Sequence, residues 1–121
     1  MGRHFVSAKT ERIDLPNCES WVEIKYELSK GEHDKIVSAG VAYRDTDTEQ
    51  NEAIVHLEHM NRVKLSTWIV SWGLEDDEGR QVPVTLDAIG ALQPDVAEEI
   101  LEGIERHQSK LEVEKKARTG S

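Results

Sequence analysis

Alternation of apolar and polar positions marks the start of the chain. Ile13 and Leu15 are separated by Asp14. After Pro16-Asn17, the run Trp21 to Leu28 sets Val22, Ile24, Tyr26 and Leu28 against Glu23, Lys25 and Glu27. Period two with β-branched and aromatic residues predicts half-buried strands, and the segment 16–20 has the composition of a hairpin connection. Two strands alone are marginal in water, so this ribbon requires a helical layer or a partner's edge strand over its apolar face.

The rhythm then lengthens. Ser29 and Glu32 have capping-box spacing ahead of a helix over about 30–42, which carries Ile36, Val37, Ala39 and Val41 but is weakened by Gly31 and Gly40. The polar stretch 44–51 reads as an exposed loop. Ala53, Leu57, Met60, Trp68 and Trp72, widened by Ile54, Leu65 and Ile69, recur at three- and four-residue steps and predict one long helix over 51–72, closed by Gly73. The acidic run 75–78 leads through a turn to Thr85, which caps a short helix over 86–92. Pro94 opens a last helix from 94 to 110 or beyond, with Val96, Ile100, Leu101 and Ile104 inward. The expected fold is α+β and predominantly helical, an N-terminal β-hairpin followed by about four helices. It divides into a flexible N-terminus (1–9), a single domain (10–108) and a charged helix end with flexible tail (109–121).

Composition narrows the function classes. Among 121 residues, 24 acidic against 15 basic side chains give a formal charge of -9, which disfavours nucleic acid as a partner because phosphate binding needs concentrated cations. No apolar run reaches the ~18 residues of a membrane span, and the N-terminus lacks the apolar stretch of a signal peptide. The single cysteine, Cys18, fits a reducing cytoplasm.

Candidate chemistry is thin. His56 and His59 lie three apart, with Glu52 one turn earlier, but without the His-Glu-x-x-His pattern of a zinc protease. Glu98, Glu99, Glu102 and Glu105 lack the histidine partners of a di-iron bundle, and the acidic run 75–78 lacks the alternating ligands of a calcium loop. No phosphate loop, dinucleotide fingerprint or nucleophile elbow occurs. The expectation is therefore no catalytic residue, no metal and no cofactor. Two features invite a partner. Trp68 and Trp72, one helical turn apart, read either as core or, if one ring is exposed, as an interface anchor, so Leu65, Trp68, Ile69 and Trp72 form the candidate partner-binding surface. The C-terminal extension with Lys115 and Lys116 reads either as a solubilising tail or as an arm that orders on binding.

The order of these elements resembles a known family. A strand pair bearing Trp-Val-Glu-Ile-Lys-Tyr-Glu-Leu leads to a Gly-Glu helix start and a long helix ending Trp68-x-x-x-Trp72-Gly-Leu. Asp-Asp-Glu-Gly-Arg-Gln-Val-Pro-Val follows, then Thr-Leu-Asp-Ala-Ile-Gly-Ala-Leu-Gln-Pro and a closing acidic helix with Ile-Glu-Arg-His. Over about residues 10–108 this is similar to the small tail assembly chaperone-type proteins of long-tailed bacteriophages and prophages. The resemblance implies a non-enzymatic protein of the bacterial host cytoplasm. It implies binding to the tape measure protein, with tail tube subunits as a further partner, during virion morphogenesis. It also implies a longer frameshifted product, and Lys115-Lys116 is compatible with a slippery codon run. Homo-oligomerisation is compatible with the same reading. The alternative is a structural virion component, such as a head–tail completion or tail-terminator subunit assembling through the N-terminal strands. A third class is an acidic regulatory or antitoxin-like protein.

Overall fold

The computed structural model describes residues 4–41 and 49–119, with the side chains of 4–40 and 57–117. β1 (Thr10–Leu15) and β2 (Ser20–Lys25) form the expected hairpin, paired antiparallel from Thr10↔Lys25 to Leu15↔Ser20. A third strand, β3 (Ile69–Trp72), pairs antiparallel with the other side of β2, giving the order β1-β2-β3 with a register shift between Glu23 and Ile24. The ribbon thus finds its extra strand within the chain.

β3 corrects the expectation of one helix over 51–72. The observed helix, α2, spans Glu49–Trp68 and passes directly into the strand at Ile69. Ile69, Val70 and Trp72 are strand formers, and extended geometry lets them satisfy the second edge of β2. The other helices are α1 (Lys30–Val41), α3 (Leu86–Gly90) and α4 (Pro94–Thr119), so the fold is α+β, with four helices among the described residues. None of the described helices is long and apolar enough to cross a membrane.

Local chemistry explains the helix starts. At α1 the Ser29 hydroxyl accepts from Glu32 N at 3.2 Å, and the Glu32 carboxylate accepts from Ser29 N at 2.9 Å, a reciprocal capping box. The Thr85 hydroxyl accepts from Ala88 N at 3.0 Å to cap α3. Pro94 occupies the first position of α4, where its missing N–H is not needed. The charged stretch expected as a frayed end and tail is helical as far as Thr119. It is tied back by Tyr26 Oη donating to Glu114 at 2.8 Å and by Lys110 Nζ at 3.8 Å from Glu11. Of the loop expected over 44–51, residues 44–48 lie outside the described residues and 49–51 belong to the first turn of α2.

One face of the sheet builds the core. Leu15, Val22, Ile24 and Trp72 point at Ile100 and Ile104 of α4, Leu65 and Trp68 of α2, and Ile89 of α3, all buried in one cluster. Each such side chain contributes about 1.5–3 kcal/mol relative to exposure. α4 lies close on β1 because Gly103 lacks a side chain: a Cβ there would meet Ile13 Cγ2 at 2.9 Å. His107, one turn further on, is 5% exposed and, with Thr67, is one of the buried polar residues. Its Nε2 is 2.7 Å from the Tyr26 carbonyl, and since that oxygen only accepts, Nε2 carries the proton. The outer face of the sheet is polar. Glu23 accepts from Thr10 Oγ1 at 2.6 Å and from Ser71 Oγ at 2.9 Å, one carboxylate tying three strands together.

Candidate functional site

The four residues expected to receive a partner are interior. Leu65, Trp68, Ile69 and Trp72 are 3%, 1%, 5% and 1% exposed. Trp72 is held further by its indole N–H, which donates to Val82 O at 2.5 Å. Placing Trp72 on a strand turns its ring onto the inner face of the sheet, opposite Val22. Leu65, Trp68, Ile69 and Trp72 therefore form core and not the surface expected of them.

The structure offers a cleft of about 610 Å³ where three separate segments meet: the hairpin connection, the loop after β3, and the junction of α3 with α4. Its apolar lining comes from Leu74, Ala91, Leu92 and Val96, and its acidic lining includes Glu19, Glu75 and Asp77; no Lys or Arg takes part. The cleft exists because of backbone detail. Cys18 N donates to Leu15 O at 3.2 Å to close the hairpin turn, and Glu19 follows in the left-handed region at φ 55°. Gly73 lets the Trp21 ring lie against the backbone beyond β3; a Cβ there would sit 2.8 Å from Trp21 Cε2. The loop beyond is stiffened by Asp76, whose carboxylate accepts from the backbone N–H groups of Arg80 (3.0 Å) and Glu78 (2.9 Å). Those bonds, led by Arg80, hold the Asp76 carboxyl below its ordinary value.

Cys18 lines this cleft, but burial and then the neighbouring Glu99 carboxylate push its thiol above the ordinary value. A thiol so placed is a poor nucleophile at neutral pH. Among the described residues no three His, Cys, Asp or Glu side chains converge on a point that could hold a metal ion. The side chains of Glu52 and His56 lie outside the described residues, and His59 is exposed on α2. Lys115 and Lys116 are exposed on α4, far along the chain from the cleft-lining residues.

A second groove of about 440 Å³ runs beside β3, lined by Val70, Ser71, Trp72 and residues 81–84. Here the 80–84 segment meets the end of β3, with Gln81 Nε2 donating to Trp72 O at 2.5 Å and Val82 N to Leu74 O, just beyond the strand, at 3.1 Å.

The cleft could not be read from spacing, because its walls come from residues 18–20, 73–77 and 91–96. The available signals were the acidic run before Gly79 and the apolar residues Leu92 and Val96 on either side of Pro94. Comparison with protein-family models, curated proteins and solved structures gives no match to this chain.

Proposed function

We propose that this protein is a non-enzymatic assembly chaperone of the long-tailed phage type, holding a segment of the tape measure protein before the tail is built. The observation that supports this reading is the cleft of about 610 Å³, in which a few apolar side chains sit among polar ones and every charged residue of the lining is acidic. Leu74, Leu92 and Val96 suit the apolar side chains of an amphipathic segment, while Glu19, Glu75 and Asp77 suit its basic flank. A formal charge of -9 keeps such a complex dispersed. A long helical client that aggregates when free is the kind of partner for which this shielding matters, and tube subunits would displace the shield during assembly.

The test is co-expression with the tape measure protein, scoring how much of that client stays in the soluble fraction. The intact chaperone should retain it, and Leu92→Glu, on the partly buried cleft wall, should release it while leaving the circular dichroism spectrum intact. Equal retention by both proteins would overturn the cleft as the binding site; no retention by either would overturn the chaperone reading. Mass spectrometry of purified particles separates the alternative class, since a chaperone is absent from finished virions and a tail subunit is present at fixed stoichiometry.

A further inference from the structure

The two edges of the sheet are treated differently. At the β3 edge the Gln81 side chain caps the Trp72 carbonyl, whereas β1 is the opposite edge strand. Tyr26 N donates to Lys9 O at 2.9 Å, in the register that continues through Thr10↔Lys25. Hydrogen-bonded pairs in an antiparallel ladder alternate, so Glu11, Ile13 and Leu15 direct their backbone groups to β2, and Thr10, Arg12 and Asp14 direct theirs away from it. Among the described residues no backbone bond outside the ladder reaches those three. Thr10–Leu15 contains neither Pro nor Lys, and its pairing with β2 is free of bulges; the charges it carries are Glu11 on the inner face, within 3.8 Å of Lys110, and Arg12 with Asp14 on the outer face.

Charge decides what fits there. Arg12 and Asp14 stand on the outer face with side chains 62% and 79% exposed, at present bonded to each other through Nε and Oδ1 at 3.2 Å. A second strand pairing antiparallel must match its own outward-directed residues with these. If that strand is β1 of a second copy, the register centred on Ile13 sets Arg12 of each copy opposite Asp14 of the other. The neighbouring registers allowed by the ladder, centred on Arg12 or on Asp14, oppose like charges. Between the two ion pairs the Ile13 side chains meet on the inner face, where each is only partly buried beside Gly103.

We infer that this protein forms a two-fold dimer through β1, in the Ile13-centred register, giving one continuous six-stranded sheet. The contact is isologous and closes at two copies, so it builds no ring or filament. It does not depend on the cleft, whose lining begins beyond β1 at Cys18.

Sedimentation equilibrium of the full chain tests it with four proteins: wild type, Arg12→Asp, Asp14→Arg, and the double exchange R12D/D14R, each checked for folding by circular dichroism. Wild type should dimerise, and each single exchange should weaken the dimer roughly tenfold or more by opposing like charges twice. The double exchange should restore it. An equimolar mixture of the two single variants should also associate, because one then presents acids where the other presents bases. A wild type that stays monomeric at every concentration, a dimer indifferent to the exchanges, or a mixture that fails to associate would overturn the proposal.

Discussion

Single side chains in this molecule separate into those that fill and those that face out, and the tryptophans show the difference. Trp68 and Trp72 are each 1% exposed, while Trp21 lies half-buried on the outer face with the Arg12 guanidinium 4.8 Å from its ring centroid. Truncating Trp72 removes a large ring from the junction of sheet and helices and leaves the Val82 carbonyl without its donor. Trp72→Ala should therefore destabilise the fold by about 3–5 kcal/mol, read as a lower urea midpoint. Under the proposed chaperone function, client retention should fall in step with folding, which is how a core residue differs from an anchor. Spacing alone hid this distinction. Residues four apart share a face on a helix and also on a strand, so the Trp68–Trp72 interval suits both. The β-branched pair Ile69-Val70 beside Trp72 was the evidence for extended geometry.

At the scale of elements, ends are controlled by few bonds. Lys25 Nζ and Ser29 N both donate to the Glu32 carboxylate, which joins β2 to the start of α1. The bond from Lys25, then that from the Ser29 backbone, holds the Glu32 carboxyl below its ordinary value. A carboxyl lowered on folding contributes fully above its unfolded value of about 4.3 and loses that contribution as the pH falls through the folded value. The α1 anchorage should therefore weaken below about pH 4, and Glu32→Gln should flatten the acid limb of a stability-against-pH profile. Ser29→Ala should cost about 1 kcal/mol at neutral pH, measured by chemical denaturation. The hairpin, the capping box and the start of α4 were all legible in the sequence, because their signals are local: period two, S-x-x-E, and Pro94 at a helix start. The pairing of β3 with β2 was not, since it joins residues some 48 positions apart, as in Glu23 with Ser71.

For the whole molecule, charge and shape act together. The formal charge of -9 is spread over surfaces whose ion pairs are mostly exposed, such as Lys30–Asp34 at 2.8 Å and Arg12–Asp14 at 3.2 Å. Such pairs are individually weak, so net self-repulsion dominates the long-range electrostatics. Moderate salt should accordingly raise the thermal midpoint in calorimetry; a midpoint that fell would show that the local pairs outweigh the net charge. The candidate cleft also belongs to this scale, because only the assembled fold brings the hairpin connection to the α3–α4 junction.

The passage from Trp68 into Ile69 without an intervening loop has a mechanical consequence. α1 packs against α2 with Gly40 close to Met60, so the two helices form one arm whose root is continuous with β3. Any tilt imposed on that arm is delivered to the β3 edge of the sheet without slack, as through a welded joint. Load arriving there reaches Gly73 and Leu74 next, the first of the residues 73–77 with which the same strand's continuation lines the cleft.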